Sequence, residues 1–140
     1  MDFRHAPAQE RFLDEIRSFL AANVSDALRL EIATSGHSPG PLGKAFLRLL
    51  GERGWLGVGW PREYGGQGRS ALEQFIFWDE TYRARAPLPV IAVNTIGPTL
   101  IHYGTEEQKR TMLPRIVRGE LHFGVGYTEL VAANPGVDPW

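Results

Sequence analysis

The feature that most constrains this chain is a run of fourteen residues, Val90 to Tyr103, that contains no Asp, Glu, Lys or Arg. A stretch that long and uncharged has to be covered on most of its circumference, so the chain must supply amphipathic partners around it. Pro98 falls inside the run, removes one backbone donor and predicts a kink there. Gly104 follows directly and predicts a left-handed C-cap. With 140 residues and 43% hydrophobic side chains, the chain has enough apolar material for one core of that kind.

Amphipathic partners are legible on both sides of the run. Phe12, Ile16, Phe19 and Leu20 recur at spacings of three and four and predict a helix from Pro7 to about Val24. The cluster Ser35-Gly36-His37-Ser38-Pro39-Gly40-Pro41 is a loop, and Leu42, Phe46, Leu49 and Leu50 predict a second helix from Leu42 to Arg53, ended by Gly54. Trp55 to Gly68 holds too many glycines for a regular helix and reads as an ordered loop. Ser70 and Glu73 form a capping box that opens a helix to about Arg85. Thr105 and Gln108 form another, opening a short helix that Pro114 should interrupt, and Gly119 closes the helical part. Leu121 to Thr128 changes to branched and aromatic residues and reads as one extended strand with no partner to pair with. The last eleven residues show no period and read as a tail. The fold class on this reading is all-α, ending in a single strand.

Several function classes are excluded. Fifteen basic side chains against sixteen acidic ones give a formal charge of −1, which gathers neither nucleic acid nor an anionic membrane. The absence of cysteine removes disulfides, thiolate zinc sites and a cysteine nucleophile. The charged N-terminus lacks the apolar core of a secretory signal, and no run approaches the length needed to span a bilayer. These features predict a soluble, cytoplasmic protein.

The remaining candidates for chemistry have simpler readings. Gly57-Val58-Gly59 lacks the third glycine of a dinucleotide fingerprint, which would fall at Arg62, and reads as turn chemistry. His5, His37, His102 and His122 stand too far apart for a helical metal site. Asp79-Glu80 and Glu106-Glu107 occupy positions explained by a solvated face or a helix N-terminus. No serine sits in a nucleophile elbow. Trp55, Trp60 and Trp78 have no basic stripe beside them and read as packing residues rather than a stacking platform for bases.

Three stretches taken in order say more. Glu52-Arg53-Gly54-Trp55-Leu56-Gly57 followed by Trp60-Pro61-Arg62-Glu63-Tyr64-Gly65-Gly66 resembles the "LGERGWLGVGWPKEYGG" pattern of acyl-CoA dehydrogenases. Gly104-Thr105-Glu106-Glu107-Gln108-Lys109 with Leu113-Pro114 and Gly119-Glu120 resembles that family's "GTEEQKxxxLPxxxxGE" helix. Tyr127-Thr128-Glu129 resembles the start of its "TEPxAGSD" flavin strand. The set stays in register from about residue 10 to residue 129 and is far more specific than any one part.

The resemblance implies residues 1–119 as the N-terminal helical domain of an FAD-dependent enzyme. Residues 120–129 would be the first strand of a flavin-binding β-domain that the chain otherwise lacks, and 130–140 an atypical tail. It implies α,β-dehydrogenation of an acyl-CoA to a trans-2-enoyl-CoA, with the α-proton removed by a carboxylate that would lie beyond Trp140. Thr128 resembles the residue that hydrogen-bonds the flavin ring, with Tyr127 contributing backbone. Gly97 and Leu100 would line the acyl pocket. The Trp60-Pro61 loop, Asn94 to Leu100 and the aromatic at Tyr127 resemble the actinobacterial branch that oxidises steroid and other bulky acyl-CoA thioesters. A homo- or hetero-oligomeric assembly follows from the same likeness.

After Glu129 the family pattern continues with Pro and a small-residue run, whereas this chain reads Leu130-Val131-Ala132-Ala133-Asn134. So abrupt a departure predicts a frameshift, a premature stop or another truncation, and a chain without dehydrogenase activity on its own. The alternatives are a non-catalytic helical subunit docking on a flavin-bearing partner and a generic helical interaction module.

Overall fold

The computed structural model describes residues 6–35, 39–124 and 126. Six α-helices run through them: α1 Pro7–Asn23, α2 Asp26–Thr34, α3 Pro41–Glu52, α4 Ala71–Arg83, α5 Gly97–Tyr103 and α6 Glu106–Val117. A π-helical segment, Ile91–Ile96, leads directly into α5. The described residues contain no strand, in keeping with an all-α domain. Leu121 to Gly124 and Gly126, the described part of the expected strand, have no regular structure. A strand is defined by its neighbour, and no neighbour is present among the described residues.

The helix starts follow from local hydrogen bonding. Ser70 Oγ accepts from the Glu73 amide and the Glu73 carboxylate accepts from the Ser70 amide, so the expected capping box opens α4. Thr105 and Gln108 do the same for α6. Helix α3 starts differently. Gly40 has no side chain to offer, and Glu31, reaching across from α2, accepts from the amides of Leu42 at 3.0 Å and Gly43 at 2.7 Å.

Helix α2 was not predicted by the apolar spacing. Its nine residues bury only Leu28, and its start is marked by Ser25, whose hydroxyl accepts from the Leu28 amide, with Asp26 in the first turn. That serine followed by an acid was the available signal.

Two expectations are corrected. Helix α6 runs unbroken through Pro114 to Val117. Full burial of Leu113, Ile116 and Val117 outweighs the roughly 3 kcal/mol that an internal proline costs. Gly104 is extended, with φ −69° and ψ 153°, rather than left-handed. Its glycine is required by proximity instead, because a Cβ there would lie 2.6 Å from the Leu100 carbonyl oxygen.

The core gathers around Trp55, directly after α3. Its indole meets Phe12 and Phe19 of α1 and Phe77 of α4 at centroid separations of 6.1, 5.1 and 6.0 Å, all edge-on. Arg53 lies over the Phe19 and Trp55 rings, and Arg69 over Phe12 at 3.8 Å, so cations close the aromatic cluster toward solvent. Thr81, the one buried polar side chain among the described residues, donates to the Phe77 carbonyl at 2.6 Å.

Helices α4 and α6 end in the same hydrogen-bond pattern. After α6, Glu120 N–H reaches Arg115 O and Gly119 N–H reaches Ile116 O, with Gly119 at φ +69°. After α4, Ala86 N–H reaches Thr81 O and Arg85 N–H reaches Tyr82 O, but here the left-handed residue is Arg85, at φ +56°. Arg85→Gly is therefore expected to raise the unfolding free energy by about 1 kcal/mol, the strain released less the entropy glycine adds to the unfolded chain, read as a shift in urea midpoint at constant slope.

The Ser70 hydroxyl and amide, with the Arg69 guanidinium behind them, hold the Glu73 carboxyl below the usual carboxylate range. A lowered folded-state value means stability that is complete above about pH 5 and lost as the pH falls through the folded pKa. Glu73→Gln is expected to cost about 0.5 kcal/mol at pH 7, and the gap from the parent chain should narrow as the pH falls through the folded-state pKa in parallel urea titrations.

Candidate functional site

The chain around Val90 to Tyr103 is the best candidate for a site, and its shape is set by Pro98 and Trp60 together. In a regular helix the Pro98 ring would collide with the Asn94 carbonyl and leave it without a donor. The backbone widens into π geometry instead, and the Gly97 amide donates to Ala92 O, five residues back. The Val93 carbonyl then loses its α-helical donor, and its π-helical donor would be Pro98, which has no N–H. The Trp60 indole fills the vacancy, its Nε1–H donating to Val93 O at 3.2 Å in a buried setting.

The same indole explains Gly97. A Cβ at that position would overlap the six-membered ring of Trp60, so only glycine lets the two elements meet. Gly97 is buried under Trp60, and Leu100 is half-buried against the core. Neither borders the cavity described next. Tyr127 and Thr128, the positions the resemblance assigns to the flavin, lie outside the described residues.

An apolar recess of about 320 Å³ opens beside the first turn of the π segment. Leu88, Val90, Ile91 and Ala92 form one wall, Ile32 of α2 and Leu47 of α3 another, and Phe123 and His122 lie across from them. Partial desolvation, then the charges of Lys44 and Arg48, pushes the His122 imidazolium toward its neutral form. Apolar spacing alone does not disclose this recess. Pro87 and Pro89, which keep the approach to the π segment extended, were the available signal.

The glycine-rich loop is a closed structure. A Cβ at Gly59 would overlap the Gln74 carboxamide, and one at Gly57 would lie 3.1 Å from Gly66. Gln67, Gly68 and Arg69 donate back to Gly57, Trp60 and Val58, so the loop amides are spent on the loop itself. Close packing therefore accounts for Gly57 and Gly59 as turn chemistry. Among the described residues no three His, Asp or Glu side chains converge to hold a metal. No described helix is long and apolar enough to cross a membrane.

The acyl-CoA dehydrogenase N-terminal domain model matches residues 6–120. Acyl-CoA dehydrogenase FadE26 of Mycobacterium tuberculosis is 44% identical over 131 residues, covering 92% of this chain and 33% of that protein. In the crystal structure of the ChsE4–ChsE5 complex from the same organism, one chain superimposes with a TM-score of 0.80 at 45% identity, over 93% of this chain and 33% of that one. The structure described as Tcur3481–Tcur3483 steroid ACAD gives 0.80 at 43% identity, over 93% and 34%. The chain thus spans about a third of the length of the relatives it matches. A helical domain in register with that family's N-terminal part, built on the Trp60 loop and the π segment, makes this chain a member of the acyl-CoA dehydrogenase family, corresponding to its N-terminal domain.

Proposed function

We propose that this chain is the helical part of a flavoenzyme that α,β-dehydrogenates an acyl-CoA thioester, and that it supplies one wall of the acyl site rather than the reacting groups. The observation that carries the reading is the apolar recess at the π segment, in a domain whose family acts on acyl-CoA. Transfer of an alkyl or ring system from water to such a surface is favourable by about 25 cal/mol per Å². His122 beside it is held toward its neutral form. Ile91 and Ala92 would touch the acyl group. Gly97 and Leu100 would support that wall from behind through Trp60 and the core.

FAD, when bound, would accept the hydride from the acyl β-carbon. Tyr127 and Thr128 remain the residues assigned to it, and the carboxylate base would come from outside this chain. The described residues would bind the acyl group and exclude water through the apolar side chains that the Pro87 to Ala92 wall presents. The description of one neighbour as a steroid ACAD supports a bulky, polycyclic acyl group as substrate.

Both structural neighbours carry two unlike names, which favours a second form of the reading, in which this chain works as a subunit on a flavin-bearing partner. The exposed stripe of Leu72, Phe75 and Tyr82 on α4 supplies apolar surface for such an assembly.

The 140-residue chain alone, given FAD, an acyl-CoA and a soluble electron acceptor, is expected to show no turnover. Combined with a flavin-bearing acyl-CoA dehydrogenase chain, it should give a complex whose flavin bleaches when acyl-CoA is added anaerobically. Turnover by the isolated chain, or a flavin in the complex that never responds to any acyl-CoA, would overturn the reading. In a responsive complex, Ala92→Phe should fill the recess and raise KM for a bulky acyl-CoA about tenfold, with a smaller change for a short one, as stopped-flow titration of the bleaching would resolve.

A further inference from the structure

Helical backbone has two ways to continue through Ile91–Ile96, and they differ by one residue. In the α register, Gly97 N–H would donate to Val93 O, and Pro98 would crowd the carbonyl of Asn94, an exposed residue, and leave it without a backbone donor. In the observed π register it donates to Ala92 O, and Val93 O is filled by a side chain thirty-three positions earlier in the sequence. A buried carbonyl without a donor is costly, so the π register depends on something answering Val93. Among the described residues that answer is Trp60 Nε1, and the absent Cβ of Gly97 is what lets the ring reach it.

The geometry points to Trp60 as a positioning residue for the recess: its indole N–H holds the Ile91–Ile96 segment in the π register, and the register decides which side chains form the wall. A change of one residue turns the segment by about 100° relative to α5. Ile91 and Ala92, which line the recess, would turn off it together, although Trp60 itself does not border the cavity. The use of the wall for an acyl group rests on the function proposed above. The control of the register by Trp60 does not.

Trp60→Phe withdraws the donor and keeps an aromatic ring at that position, while giving up the Cζ2 and Cη2 atoms that lie nearest Gly97. In the isotopically labelled 140-residue chain, scalar coupling across hydrogen bonds identifies the acceptor of the Gly97 amide. The expected result is Ala92 in the parent chain and Val93 in Trp60→Phe. Retention of Ala92 as acceptor in a folded Trp60→Phe chain would overturn the assignment, whereas a general loss of stability would leave the acceptor where it is. Should the variant not fold, the parent chain decides. The Trp60 indole and Gly97 amide protons should then show matching exchange protection across a urea series, and an indole proton exchanging more than about tenfold faster than the amide sinks the idea. All of these readouts are free of ligand, so a chain with the expected acceptor shift that binds no acyl-CoA leaves Trp60 in its role and removes only the proposed function.

Discussion

Trp55 is the side chain on which the arrangement of the helices depends. It is 2% exposed and sits where the end of α3, the inner face of α1 and the middle of α4 converge, with Phe12, Phe19 and Phe77 edge-on around it. Edge-on aromatic contacts are directional, so the ring fixes the rotation of α1 and α4 as well as their distance. Gly54, left-handed at φ +68°, turns the chain sharply enough after α3 to deliver the indole into that space. The loop then runs on to Trp60, five residues later, which fixes the second half of the domain. Two indoles on one loop thus join the α1–α4 layer to the π segment and α5, which explains why so glycine-rich a stretch is nonetheless well packed.

The sequence disclosed what depends on near neighbours in the chain. The apolar spacing of α1 and α3 and the paired capping residues of α4 and α6 are local devices, and the helices lie where those devices put them, within a residue or two. What escaped reading depended on distant partners. The π segment exists because Pro98 withholds a donor and Trp60 supplies one, a pairing that no window of the sequence contains. Helix α6 survives Pro114 because its far side is buried. Gly97 is a further case, since what demands glycine there is an indole that arrives from thirty-seven residues earlier. The recess was missed for a related reason, being made of pieces from α2, α3, the Pro87 to Ala92 stretch and Phe123.

Between them these features divide the labour of the domain. Among the described residues its buried core is largely aromatic and aliphatic and carries no titratable group, and an apolar recess lies at the edge, where the backbone departs from regular helix. Departures of this kind recur at functional positions because they re-aim side chains without changing the sequence that presents them. A domain so built is suited to shaping a site whose reactive chemistry is provided elsewhere.

The contact between Glu31 and the start of α3 has one more consequence. A helix N-terminus with free amides is attractive to anions, and here those of Leu42 and Gly43 point at a carboxylate the chain itself provides. A Cβ on Gly40 would lie 2.5 Å from the Glu31 carboxyl carbon, so the carboxylate is seated tightly. The domain has thus shut the helix end nearest its recess to any outside phosphate or sulfate. An anion brought to this side of the domain would have to find its partners somewhere other than the start of α3.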